Sequence, residues 1–249
     1  MENTNKKIVE IKGLSKKYRK AKNFAIDEIN LECHAGEIVG LLGKNGAGKS
    51  TTIKCLTGFF NFEKGNVTIC DYDIKKNPID AKKQLGYVPD NHAAFEKLTG
   101  MEYINFIADL HQVPVKLREK RLKQMEEVFK LGDKINNLIS SYSHGMKQKI
   151  CLMASLIHNP KLWLLDEPLT GLDPQTTKAL HKYMNKYRQK GNAVLYSSHN
   201  LDAVEKTCDR TYIINNGKIV ANIDIKEFKK KNPGKSLEAV FIEQFGEEA

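Results

Sequence analysis

Residues Gly43-Lys44-Asn45-Gly46-Ala47-Gly48-Lys49-Ser50 read G-x-x-x-x-G-K-[ST], and no other run in the chain constrains its fold as tightly. The run follows an apolar segment, 37–42, and precedes a helix-forming one, 49–57. A buried strand, a glycine turn and a helix, in that order, is the setting in which this spacing has a physical use. Glycines let successive backbone N–H groups converge on phosphate oxygens, because a Cβ obstructs both positive φ angles and close approach. The helix behind them points its partial positive charge at the same anion. Lys49 is placed to neutralise β- and γ-phosphates, and the Ser50 hydroxyl to bind Mg²⁺. At average residue frequencies a chance match in such a chain has a probability of roughly 1%. The chain reads as a nucleotide binder.

The rest of the chain keeps the same α/β rhythm. β-type runs occupy 8–14, 25–33, 66–70 and 86–88; apolar residues then recur at helical spacing over 101–110 and 117–131 with no strand between. Strand signals return at 161–165, 193–197 and 211–214, separated by helix-like segments at 175–190 and 201–208. That alternation predicts a parallel sheet core interrupted by a helical lobe. With 249 residues, 41% of them hydrophobic, the chain can build one large α/β domain. The lysine-rich stretch 229–235 reads as a solvated turn, and 236–245 as a last amphipathic helix.

Other classes are narrowed by what is missing. The longest apolar runs, such as 38–42 and 162–165, fall far short of the roughly 20 residues that span a bilayer. The polar, basic stretch 1–10 lacks the apolar centre of a secretory signal, so a cytoplasmic destination is expected. Five scattered cysteines, none in a C-x-x-C pair, argue against a disulfide framework or a zinc site. A net charge of +10 permits attraction to nucleic acid, anionic lipid or an acidic partner and does not choose among them.

Two further strand ends carry chemistry. Leu162-Trp163-Leu164-Leu165-Asp166-Glu167 is an apolar strand ending in two acids, and a strand without a polar face belongs in a sheet covered on both sides. The carboxyl end of such a strand is where an open α/β sheet holds its ligand. Asp166 is placed to hold Mg²⁺, and Glu167 to polarise an attacking water. Val194-Leu195-Tyr196-Ser197-Ser198-His199 ends at the same predicted edge, where His199 can donate to a γ-phosphate.

Together these residues resemble the nucleotide-binding subunit of an ABC transporter, over about 8–219. The run from Gly43 to Thr51 matches Walker A, Asp166 and Glu167 match Walker B and its catalytic glutamate, and Gly171-Leu172-Asp173 matches the D-loop. His199 matches the switch histidine, and Tyr18 the aromatic residue that stacks on adenine. The resemblance implies a P-loop NTPase fold with an N-terminal antiparallel β subdomain and an inserted helical subdomain. Its boundaries place the core in 1–90 and 161–222, the helical signature lobe in 91–160 and a helical tail in 223–249. It also implies ATP and Mg²⁺ as cofactors, a head-to-tail second nucleotide-binding subunit, and a separate transmembrane permease on the inner face of the cell membrane.

Two positions depart from the family pattern. Its LSGGQ signature falls on Tyr142-Ser143-His144-Gly145-Met146, ahead of a helix expected near Lys147; only Ser143 and Gly145 keep the groups that meet the γ-phosphate of the opposite subunit. Where the Q-loop glutamine belongs, after Gly86-Tyr87-Val88-Pro89, stands Asp90, whose carboxylate cannot donate a hydrogen bond when ionised and attracts Mg²⁺ more strongly. Leu98-Thr99-Gly100 with the following helix, and the acidic Q-loop position, look most like the branch that exports drugs and antimicrobial peptides. The resemblance therefore implies an ATPase energising export, with no nucleic acid partner. The alternatives are a soluble ABC-type ATPase acting on ribosome or nucleic acid, and a regulatory ATP-binding module.

Overall fold

The apolar strand before the glycine turn, the one before the paired acids and the one that leads to His199 become the centre of a six-stranded sheet. The structure is a computed structural model that describes residues 6–19, 21–91 and 95–239. Its elements are β1 (Lys7–Lys16), β2 (Ile26–His34), β3 (Ile38–Leu42), α1 (Lys49–Leu56), β4 (Lys64–Ile69), β5 (Tyr72–Asp73), α2 (Pro78–Lys83) and β6 (Leu85–Val88). A helical stretch follows, with α3 (Gly100–Leu110), α4 (Val115–Phe129), two 3₁₀ turns and α5 (His144–Leu156). The chain then returns to the sheet through β7 (Leu162–Asp166), α6 (Pro174–Gln189), β8 (Ala193–Ser198), α7 (Leu201–Thr207), β9 (Arg210–Asn215), β10 (Lys218–Asp224) and α8 (Ile225–Lys231).

The large sheet has the order β10-β9-β3-β8-β7-β6, parallel throughout except for the edge strand β10. All residues of β3, β7 and β8 are buried, because both faces are covered. Trp163, Leu165, Val194 and Tyr196 pack toward the helices. Their neighbours Leu162, Leu164, Ala193 and Leu195 pack toward α1 and a second, antiparallel sheet of order β2-β1-β4-β5. The two-residue period of a strand thus splits one apolar run between two cores. Leu42 pairs with Ser198 and Asp166 with Ser197, so β3, β7 and β8 end at one edge.

The helical stretch is joined to the sheet by shared packing. Ile104 of α3, Met125 and Phe129 of α4 and Ile150 of α5 belong to the same core cluster as Trp163 and Val194. A capping box starts α3: Thr99 Oγ1 accepts from Glu102 N at 3.1 Å, and Thr99 N donates to Glu102 Oε2 at 2.7 Å.

Some expectations are corrected. The helix expected near Lys147 begins at His144, because Ser143 caps it. Lys229–Lys231 are not a turn but the last turn of α8, where three lysines meet the negative end of the helix. The boundary expected at 223 cuts through β10, which pairs with β9 as far as Asp224. Of the tail helix expected at 236–245, residues 240–245 lie outside the described residues. All five cysteines are free, and four of them are buried.

Candidate functional site

The glycine turn between β3 and α1 holds Gly48 at φ 114°, in the left-handed region, as the N-cap of α1. A Cβ there would also lie 2.7 Å from Ile26 Cγ2, so both conformation and space require glycine. The turn folds back over Lys49, which is 5% exposed. Its ammonium donates to Gly43 O at 2.6 Å and Lys44 O at 3.2 Å, and lies 3.4 Å from Glu167 Oε1. Just outside, the Tyr18 hydroxyl shares a hydrogen bond with Thr51 Oγ1 at 2.9 Å. The Tyr18 ring stands edge-on to Phe60 with centroids 5.8 Å apart and is 43% exposed, leaving ring surface open beside the turn.

Glu167 follows β7 and takes φ 49°, an uncommon conformation for a residue with a Cβ. Its carboxylate is held from two sides, since Oε2 lies 3.0 Å from His199 Nδ1 while Oε1 faces Lys49. Asp166, 1% exposed, accepts from Ser197 Oγ at 2.6 Å. Burial pushes its pKa up; the hydrogen bonds from Ser197 and Ser50 work against that, and the neighbouring Asp90 and Glu167 charges add to it. Ser197 also accepts from Glu167 N at 3.1 Å, so one hydroxyl orients both acids.

The donor set suits Mg²⁺. Ser50 and Asp166 present hard oxygens in contact, and a buried carboxylate held above its usual pKa is short of positive charge. Among the described residues no group of three or more His, Cys, Asp or Glu side chains could hold a metal alone.

The structure brings Lys49, Ser50, Asp166, Glu167 and His199 together, with Gly43, Lys44, Asn45, Gly46, Ala47 and Gly48 forming the turn. Asp90 lies two residues beyond β6, near enough for its charge to act on Asp166 and Tyr87. Ser143 and Gly145 make other contacts. Ser143 Oγ accepts from Met146 N at 3.3 Å, and a Cβ on Gly145 would meet Gly171 O at 3.1 Å. The first turn of α5 therefore packs on 171–173, where Gly171 has φ 77° and a Cβ would collide with the His144 ring. Asp173 caps α6, accepting from Thr176 N at 2.9 Å. Tyr142 is a core residue, 5% exposed, whose hydroxyl donates to Lys134 O at 2.7 Å.

Two residues escaped the sequence reading. Ser197 sits inside a strand run and looks like filler, although its neighbours Ser198 and His199 marked the strand end. Gln148, fully buried, donates from Nε2 to Pro168 O at 2.8 Å and ties α5 to the segment after Glu167. Lys147 and Lys149 flank it, so in the sequence it reads as part of a polar helix start.

Comparison with known proteins agrees with this geometry. The ABC transporter family model matches residues 26–170. The ABC-type transporter ATP-binding protein EcsA of Bacillus subtilis is 31% identical over 244 residues, covering 97% of this chain and 98% of the relative. The linearmycin resistance ATP-binding protein LnrL of the same organism is 34% identical over 86% of this chain and 68% of its own length. A solved ATP-binding subunit of an ABC transporter superposes with a TM-score of 0.89 at 31% identity, covering 95% of this chain and 98% of the other. A dimeric ATP-binding cassette in a post-hydrolysis state, bound to ADP and Pi, shares the fold with a TM-score of 0.79 at 20% identity. The chain belongs to the ABC transporter family, as one of its ATP-hydrolysing ATP-binding subunits.

Proposed function

We propose that this subunit energises export of drug- or peptide-class molecules through a separate membrane-spanning subunit, working as a head-to-tail pair with a second ATP-binding subunit. The observation that carries the catalytic part is Glu167, fixed between the Lys49 ammonium at 3.4 Å and His199 at 3.0 Å. On ATP binding, Lys49 exchanges its carbonyl partners for β- and γ-phosphate oxygens, which releases Glu167 to accept a proton from the attacking water. His199 holds the other carboxylate oxygen and, being 57% exposed, can turn its ring toward the γ-phosphate. Tyr18 offers its open ring to adenine. Ser50 and Asp166 would hold Mg²⁺, which screens the phosphate charge when bound, with Asp90 adding a second carboxylate nearby.

The second copy supplies Ser143 and Gly145 at a helix N-terminus, where orphan N–H groups favour an anion. The helical lobe at 91–160 faces the permease, and the subunit is held at the inner face of the membrane by that contact. Among the described residues no helix is long and apolar enough to cross a membrane. Export is favoured by the names of relatives tied to linearmycin resistance and, in Escherichia coli, to a probable multidrug transporter.

The test is Glu167→Gln. Loss of the base should lower turnover by about 10²- to 10⁴-fold while ATP binding persists, and sedimentation should show an ATP-dependent dimer. Hydrolysis at the wild-type rate would remove Glu167 from the mechanism. Affinity capture of the wild-type chain from membranes, with no membrane-spanning protein bound, would count against the transporter assignment.

A further inference from the structure

Away from the phosphate turn, a groove of about 450 Å³ opens between α4 and α6. Lys130, Lys149, Lys182 and Lys186 line it, against the carboxylates of Glu127 and Asp173. Among the described residues Lys130, Lys182 and Lys186 form no ion pair, and Lys149 reaches only Asp173 Oδ2, at the long distance of 3.9 Å. Lys182 and Lys186 stand one turn apart on one face of α6, where like charges destabilise a helix. Lys186 and Lys130 at helix C-termini gain from the dipole, but Lys182 in mid-helix has no such return.

The groove also has a rigid floor. The Tyr183 ring stands edge-on to Trp163 at 5.7 Å and tilted on Phe129 at 6.0 Å, and among the described residues its hydroxyl has no hydrogen-bond partner. Several ammonium groups and a free hydroxyl around one concave wall match a ligand with several anionic oxygens. A single carboxylate satisfies too few of these donors; a phosphate ester or diphosphate has enough.

We propose that this groove binds a phosphorylated small molecule carrying two or more negative charges, at a site separate from the phosphate turn. Such a ligand would draw Lys149 from Asp173, which caps α6 directly after Gly171-Leu172 and leans on Thr176 through both N and Oγ1. The ligand would thereby act on the segment that packs against the first turn of α5. That effect on turnover rests on the function proposed above; the binding itself does not.

The experiment is calorimetric titration of the full chain, saturated with ADP, with inorganic pyrophosphate at low and at moderate salt. One further binding event is expected, weakened by salt. In Lys182→Glu/Lys186→Glu it should weaken at least about tenfold, since each lost charge-assisted hydrogen bond removes a large part of the affinity. Hydrolysis without pyrophosphate should match wild type in that variant, which also shows that it folds. The proposal is overturned if wild type shows no such event or if the double variant binds equally well. An event lost in Lys49→Ala but kept in the double variant would assign it to the phosphate turn instead. Binding of poly-glutamate without binding of pyrophosphate would overturn it too, in favour of an acidic protein segment. A chain without ATPase activity would sink the functional reading and leave this titration to decide the groove alone.

Discussion

Glu167 combines a left-handed backbone with a carboxylate fixed on both sides, and strain of that kind persists only where the surroundings over-determine it. Ser197 is the residue that does so, bonding Asp166 Oδ1 at 2.6 Å and Glu167 N at 3.1 Å. Ser197→Ala leaves both acids without their shared partner. A hydrogen bond to a charged group contributes about 1.5–3 kcal/mol, so kcat should fall by about 10- to 100-fold with a smaller change in KM. Steady-state kinetics beside a circular-dichroism melt separates this from unfolding; an unchanged kcat would remove the orienting role. The three strand ends were legible because each pairs an apolar run with a polar terminus. Ser197 was not, since its role depends on a register, Asp166 opposite Ser197, that only pairing creates.

At the scale of elements, the junction of α5, β6 and α3 carries a titratable contact. His158, just past α5, has Nε2 3.1 Å from Leu85 O; a carbonyl can only accept, so Nε2 carries the proton. Its ring stacks on His111 at 3.7 Å, and among the described residues its buried Nδ1 has no partner. Burial, then the His111 neighbour, lower its pKa from 6.5 to about 4, with Arg121 of α4 acting in the same direction. Burial, then Lys83 of α2, lowers His111 likewise. The folded state thus keeps His158 neutral while the unfolded chain protonates below about 6.5, so the unfolded state binds more protons between the two values. The contribution to stability is full above pH 6.5 and declines toward pH 4, by up to about 3 kcal/mol. Urea melts from pH 7 to 4.5 should show that slope, and His158→Gln should flatten it; an equal slope in both would reject the assignment. Element boundaries were less legible than element types. Ser143 is followed three residues later by Met146 rather than Glu, so no capping box announced the start of α5. The two-residue β5, the short α2 and the half-exposed edge strand β10 depend on tertiary pairing rather than on their own pattern.

For the whole molecule, the decisive feature is that the described residues of the helical lobe share one core with the sheet. Phe129 of α4 is fully buried in the cluster that contains Trp163 of β7, and Tyr183 of α6 bridges them with ring contacts at 6.0 and 5.7 Å. A lobe built this way cannot unfold and leave the sheet intact, because its departure strips one face of β7 and β8. The sequence contains a single tryptophan, and it sits at that junction with 0% exposure, so its fluorescence reports the joint between lobe and sheet. Denaturation followed by Trp163 fluorescence and by far-ultraviolet circular dichroism should therefore give coincident midpoints. Phe129→Ala should shift both together, at a cost of about 3–5 kcal/mol, whereas Phe106→Ser, on a side chain 46% exposed, should shift neither by more than about 0.5 kcal/mol. A fluorescence transition that precedes loss of helix and strand signal would mean that lobe and sheet separate before they unfold. In that case a force applied to the lobe could not be transmitted to β7 and Glu167 through packing alone, and hydrogen bonds such as Gln148 Nε2 to Pro168 O and Trp163 Nε1 to Ser155 Oγ would be left to link them.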